Sequence, residues 1–312
     1  MKAEKTLKTV IDVIGFPFTL TNLLLTKNRQ LKEPGQLIKR NDRMIHAIAS
    51  RNEEAEVTVI FDSGLSCCSL DWCFIQPQVS KYARTVSFDR AGYGWSSPSE
   101  QPYTSEDVVH DLVHILENLK LAPPYILVGH SFGGLNMRLF ASKYPEKIAS
   151  LILVDAVHEN RYLSEEWDAA RQQSHRKNLQ IFRFGYLTSG IGLPKLLKQP
   201  VGRKYLPDPF REHARYIGFH PKSYEAVYQE FLMSEESAMQ VNRSKALPDD
   251  LSLTVISSNN SDPTWIEHQN LLCNLTKNAR QIKTVHSHSL HLENPELVID
   301  VIKEAIRQKC DV

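Results

Sequence analysis

The sequence predicts an α/β protein built on a mostly parallel sheet with helices on both faces. Three observations carry this. Short apolar runs (Val57–Asp62, Arg84–Phe88, Tyr125–Val128, Leu151–Val154, Leu251–Ser257 and Gln281–Val285) alternate with longer stretches of helical periodicity. Several of these runs are continuously apolar, as strands covered on both faces must be. At 312 residues and 42% hydrophobic content, the chain is long enough to bury one large core, with or without an insertion.

The organising stretch is Tyr125–Val128 followed by Gly129-His130-Ser131-Phe132-Gly133 and a helical run from Leu135 to Lys143. A strand, a Gly-flanked Ser and a helix form a sharp turn that exposes the Ser131 hydroxyl above the sheet in a strained conformation. Glycine is expected at 129 and 133 because a Cβ there would meet the crossing backbone.

The other elements follow in order. Gln36–Lys39 and Met44–Ala49 flank Arg40-Asn41-Asp42-Arg43 as an antiparallel hairpin. Thr104 or Ser105 caps a helix with the apolar stripe Val109, Leu112, Val113, Leu116 and Leu119, leaving His110 and His114 on the solvated side. Residues 160–248 lose the alternation and become helix-prone and polar-aromatic. Pro295 opens a closing helix whose face carries Leu297, Val298, Val301, Ile302, Ala305 and Ile306.

Near the N-terminus, Lys2, Lys5 and Lys8 precede an apolar stretch from Val10 to Leu25. Asp12, Gly15, Pro17 and Asn22 interrupt it, so a clean span of about 18 apolar residues is not reached. A surface helix on the body, or one lying at a membrane, is expected for residues 1–30, rather than a transmembrane anchor. The net charge of +1 gives no global signal for nucleic acid. Five cysteines (Cys67, Cys68, Cys73, Cys273 and Cys310) form an odd set without paired metal spacing, which fits a reducing, cytoplasmic setting. Cys67 and Cys68 read as small buried side chains, with a reactive thiol as the alternative.

Three loops then establish a resemblance: Asp62-Ser63-Gly64-Leu65, Asp89-Arg90-Ala91-Gly92-Tyr93-Gly94-Trp95-Ser96, and the turn at Ser131. With His288-Ser289-Leu290-His291-Leu292-Glu293-Asn294-Pro295, they make the chain resemble the α/β-hydrolases, in their cap-bearing, esterase-like branch, over residues 36–158 and 250–308. The resemblance implies an eight-stranded, mostly parallel sheet, with a core of 31–158 and 250–312. It also implies a helical cap over 159–249, between core strands six and seven. Asp62-Ser63 departs from the family's usual His before Gly64, which commonly braces that loop. Ser287 stands where a Gly is usual.

A serine hydroxyl needs a base to become nucleophilic, and the base needs an orienting acid. The resemblance gives the chain order Ser, acid, His and places the catalytic roles on Ser131, Asp262 and His288. Asp262-Pro263 matches the usual acid-bearing turn, and Asp155 occupies the alternative acid position. Of the neighbouring imidazoles, His291 is expected to be packed or hydrogen-bonded. The backbone N–H groups of Leu65 and Phe132 are the implied oxyanion donors, while Trp72, Tyr93 and Trp95 are candidates for the pocket mouth. No metal and no cofactor are implied, because His286, His288 and His291 lack a metal-site pattern.

The implied activity is cleavage of an ester-like bond in a small or lipid-like substrate through an acyl-serine intermediate. A lactonase, an amidase or iminopeptidase, a carbon–carbon bond hydrolase, or a slow-turnover ligand-binding receptor or regulator are the alternatives. Epoxide hydrolases and dehalogenases of this fold use Asp as nucleophile, so Ser131 argues against both. Residues 171–215 carry a net charge of +8, interleaved with apolar side chains such as Ile181, Phe184 and Leu196. A solvated cap face is one reading, and recognition of anionic or lipid-like substrates or peripheral contact with an anionic membrane surface is the other.

Overall fold

The structure, a computed structural model, describes residues 2–27, 31–203, 206–208 and 210–310, the Cys310 side chain excepted. Lys204, counted above in the basic stretch, and the outermost residues of the expected N- and C-terminal boundaries lie outside these. Two helices come first, α1 (Lys2–Ile14) and α2 (Phe16–Lys27). The hairpin β1 (Gln36–Arg40) and β2 (Arg43–Ser50) forms as expected, and Asn41 takes a φ of +53° in the connection, a conformation Asn tolerates. There follow β3 (Thr58–Asp62), α3 (Gln76–Val79), β4 (Arg84–Phe88), α4 (Ser105–Leu119), β5 (Tyr125–His130), α5 (Gly133–Lys143) and β6 (Ile148–Val154).

Among the described residues five α-helices are then inserted: α6 (Ala169–Thr188), α7 (Leu193–Leu196), α8 (Phe210–Gly218), α9 (Pro221–Leu232) and α10 (Ser234–Asn242). The sheet resumes with β7 (Ser252–Ser257), followed by α11 (Pro263–Cys273), β8 (Ala279–Lys283), α12 (Leu290–Glu293) and α13 (Pro295–Cys310). The helical insertion thus lies between the sixth and seventh strands.

The eight strands run in the order β1-β2-β4-β3-β5-β6-β7-β8, with β2 antiparallel to both its neighbours, β1 and β4, and every other pair parallel. Every residue of β3 and β5 is buried, which explains their unbroken apolar runs. On one face the core packs Leu112, Ile115 and Leu116 of α4 and Leu135, Leu139 and Phe140 of α5 against Ile60, Leu127 and Leu153. On the other, Val298, Val301 and Ile302 of α13 and Val79 of α3 cover Val59, Ile126 and Ile152. A capping box at Thr104 and Asp107 starts α4, whose buried stripe also takes in Val108 and Ile115.

Several strand boundaries differ from expectation by two or three residues, as at the start of β6 (Ile148 rather than Leu151) and at both ends of β8. The last strand ends at Lys283 and Val285 is 84% exposed, because β8 is an edge strand that the chain leaves to carry the Thr284–Ser289 loop over the strand ends.

Candidate active site

The site is assembled at the carboxyl ends of the parallel strands, where this kind of sheet places its ligand crevice. Leaving β5, Ser131 adopts φ +50°, a left-handed conformation unfavourable for a residue with a Cβ. Its N–H donates to Val154 O at 3.2 Å and its carbonyl accepts from Val157 N at 3.1 Å, so the turn is pinned to the end of β6. Close approach fixes the neighbouring residues as glycine. A Cβ at Gly129 would lie 2.8 Å from Gly133 O, and one at Gly133 only 2.4 Å from Asp62 O.

Asp155 follows β6 directly, also at positive φ (+40°), and is completely buried. Its N–H donates to Ile256 O at 2.6 Å. Oδ1 accepts from Ser258 N at 2.9 Å and from the Trp265 indole N–H at 3.0 Å, leaving Oδ2 to pair with His288 Nδ1 at 2.6 Å. The His288 ring is half exposed and meets Trp265 edge-on, with the centroids 5.5 Å apart. Its Nε2 makes no hydrogen bond among the described residues and stays open toward the crevice chemistry.

The expected Asp262–His288 pairing is not the one formed. Asp262 is the exposed N-cap of α11: its Oδ1 accepts from Thr264 N at 3.1 Å, and its Oδ2 stands 3.7 Å from Arg161. Asp262-Pro263 is a helix-start signature, with the side-chain acceptor at N-cap and proline at N1, and that is the use the fold makes of it.

The three imidazoles after β8 are separated cleanly. His288 reaches Asp155, whereas His286 Nε2 accepts from Asn294 Nδ2 at 3.2 Å. His291 is fully buried, 3.4 Å from Asp71 Oδ2, with its ring 4.1 Å from that of His130. His130 Nε2 donates to the His288 carbonyl at 2.9 Å, anchoring the loop that carries the exposed imidazole. Burial drives the His130 pKa well below the usual 6.5, so it remains a neutral strut. Ser287, in the place of a usual Gly, does not require positive φ; its N–H donates to Glu293 Oε2 at 2.9 Å and its hydroxyl to Oε1.

Asp62 answers how the Gly64 loop is braced without the usual His. Its carboxylate accepts from Arg90 Nη1 at 2.5 Å and from Asn136 Nδ2 at 2.7 Å. The same guanidinium donates to the carbonyls of Ser63 (2.7 Å) and Gly64 (2.8 Å) and holds Glu230 of α9 through Nε at 2.6 Å. Tyr93 adds its hydroxyl to Glu230 Oε2 at 2.8 Å. A buried guanidinium is tolerable because two carboxylates and two carbonyls surround it.

Gly64 itself packs so closely that a Cβ would lie 3.1 Å from Ser131 Cβ. The N–H groups of Leu65 and Phe132 have no acceptor among the described residues, leaving two donors beside the Ser131 turn.

A second ionic clasp lies behind His288. Arg203, from the insertion, donates through Nε to Asp71 Oδ2 at 2.9 Å and through Nη1 to Ser289 Oγ at 2.7 Å. Asp71, His130 and His291 bring three potential metal donors within 4.8 Å of one another, but Arg203 already neutralises Asp71 where a cation would bind. Cys67 and Cys68 are buried, and burial raises the Cys67 thiol to about 12 and Cys68 well above its usual value, which makes both unreactive. Of the aromatic side chains proposed for a pocket mouth, Trp72 lies in the core against Phe61 and His291, Tyr93 is buried on Glu230, and Trp95 packs between His46 and His213.

Comparisons with known proteins agree with this architecture. Residues 57–192 match the family model described as alpha/beta hydrolase fold. YqjL of Bacillus subtilis is 30% identical over 105 residues, covering 34% of this chain and 42% of that protein. The chain spans less than two thirds of the length of the curated relatives it matches. Among solved structures, a thermophilic esterase from Thermogutta terrifontis superposes with a TM-score of 0.65 at 18% identity, covering 88% of this chain and 99% of that one. Epoxide hydrolase CorEH superposes with a TM-score of 0.69 at 12% identity, covering 88% of this chain and 98% of that one. The protein has the α/β-hydrolase fold with a cap-like helical insertion. An esterase and an epoxide hydrolase share that fold, so the reaction must be argued from the site.

Proposed function

We propose that the protein is a serine hydrolase that cleaves an ester-like bond, with Ser131 as nucleophile, His288 as base and Asp155 as the orienting acid. The observation that carries this reading is the 2.6 Å bond from His288 Nδ1 to buried Asp155, one strand away from the strained Ser131 turn. With Nδ1–H donated to Asp155, the neutral tautomer leaves Nε2 unprotonated to accept the Ser131 proton. Ser131 Oγ then bonds to the substrate carbonyl carbon, and the negative charge moves to the carbonyl oxygen, where the N–H groups of Leu65 and Phe132 receive it. His288 returns the proton to the leaving alcohol as the C–O bond breaks. Water, deprotonated by the same nitrogen, releases the acid and regenerates Ser131. The Ser at the turn, rather than Asp, supports acyl transfer over epoxide or haloalkane chemistry.

Turnover of p-nitrophenyl acetate and butyrate tests the proposal. Expected is a burst followed by steady turnover, both absent in Ser131→Ala. Ligand binding with no burst and no turnover across short and long acyl esters would refute it in favour of a receptor role.

A further inference from the structure

The N-terminal helices are built inside out. In a helix that packs on a soluble body, the apolar stripe faces the body. Here the side chains turned toward the insertion are polar. Glu4 pairs with Arg183 of α6 at 3.1 Å, Lys8 pairs with Asp12 at 2.6 Å above the Tyr186 ring, and the Asn22 amide donates to the carbonyls of Ser189 and Gly190 at 3.1 Å. Ile11 is the one large apolar side chain of α1 and α2 on this inner side. Ten large apolar side chains between Leu7 and Leu25 point outward, among them Ile14 (79% exposed), Phe18 (70%) and Val13 (66%).

The outward surface continues onto the insertion. A Cβ at Gly15, between the two helices, would sit 2.5 Å from the Ile191 side chain, so the bend is seated against the α6–α7 connection. Ile181 and Phe184 on α6 and Leu196 and Leu197 beside it are also exposed. Exposed Lys2, Lys5, Lys27, Lys177 and Lys198 lie on or next to the same helices. Exposed apolar side chains combined with lysines on the same helices match an anionic lipid surface, whose headgroups take the lysines while the acyl region takes the apolar side chains. The helices have 13 and 12 residues and meet at 96°. At about 1.5 Å per residue each is roughly 20 Å long, short of the ~30 Å hydrocarbon core, and among the described residues no single helix is long and apolar enough to cross a membrane.

We infer that α1 and α2, with the exposed edge of α6 and α7, form a monotopic docking surface for an anionic membrane, lying in the plane of one leaflet. This does not depend on the hydrolase reading.

The test uses the full chain and vesicles of phosphatidylcholine alone or mixed with phosphatidylglycerol. The wild type is expected to sediment with the mixed vesicles and to weaken as salt rises. Phe16→Glu/Phe18→Glu should bind at least ~10-fold more weakly. Because both positions are exposed, the variant should keep the wild-type thermal midpoint, and Phe18→Trp should show blue-shifted emission on adding vesicles. Undiminished binding by the double glutamate variant would overturn the inference, as would equal binding to neutral vesicles. So would wild type that binds neither vesicle but forms a dimer dissolved by the same variant, which would make the face a contact between copies.

Discussion

His288 Nδ1 lies 2.6 Å from Asp155 Oδ2, and the other Asp155 oxygen is held by Ser258 N–H and the Trp265 indole. The Asp155 carboxylate is therefore fixed from one side by the backbone after β7 and by a helix side chain, and offers its second oxygen to a single partner. An imidazole held in this way has its tautomer and its orientation set together.

The first prediction follows from that division of labour. Asp155→Asn should lower kcat for ester hydrolysis by roughly 10⁴-fold, because the amide favours the wrong tautomer of His288. Asp262→Ala should keep near wild-type kcat and lose about 1 kcal/mol of stability, the usual cost of removing an N-cap. Steady-state kinetics with thermal melts on both variants decide the matter, and the reverse ranking of kcat would return the acid role to Asp262.

The partner of His288 shows where sequence reading stops. Ser131 was legible because its signal is local: an apolar strand, two glycines that avoid backbone collisions, and a helix. His288 was singled out by a contiguous segment, and in the structure it pairs with Asp155 while His291 lies near Asp71 and His286 near Asn294. The choice between Asp155 and Asp262 depends on where two loops lie in space, and sequence order allows both. A local clue did exist, since Asp followed by Pro is how an α-helix starts, and Asp262 starts α11. The bracing of the Gly64 loop was out of reach. It joins Asp62, Arg90, Asn136 and Glu230, the last of them 140 residues from Arg90, and no periodicity marks a buried ionic network. The polar inner faces of α1 and α2 were hidden for the same reason, because the interruptions at Asp12 and Asn22 gave no hint of what they face.

The Arg90 network gives a second prediction. Glu230→Ala removes one of two carboxylates from a buried guanidinium and should destabilise the fold by about 3–5 kcal/mol. Glu230→Gln, which keeps a hydrogen-bond acceptor, should fold but lower kcat more than it raises KM, because Arg90 also holds the carbonyls of Ser63 and Gly64 behind the Leu65 donor. A Glu230→Gln enzyme with wild-type kcat would separate the insertion from the oxyanion loop.

A third prediction concerns pH and stability. Burial depresses the His158 and His220 imidazoles from the usual 6.5 to about 4. Burial alone would raise the Asp89 carboxyl, but His46 and the N–H groups of Ser69 and Trp95 outweigh it and hold Asp89 at about 2. All three folded-state values lie below the unfolded ones, so the unfolded chain binds more protons as the pH falls. The histidine contribution is complete above about 6.5 and is lost toward about 4, and the Asp89 contribution is lost below that, toward about 2. Thermal midpoints should therefore fall steadily as the pH drops below 6.5. A midpoint unchanged between neutral pH and about 4 would contradict these assignments.

The central claim is that Ser131 carries the acyl group, and a covalent label tests it most directly. Purified protein treated with a fluorophosphonate, digested and analysed by mass spectrometry should carry the phosphonyl adduct on the peptide containing Ser131. Labelling should be lost in Ser131→Ala and slowed by several orders of magnitude in His288→Ala, with both variants folded. An adduct on any other residue, or an unlabelled Ser131 in protein that still hydrolyses esters, would contradict the account.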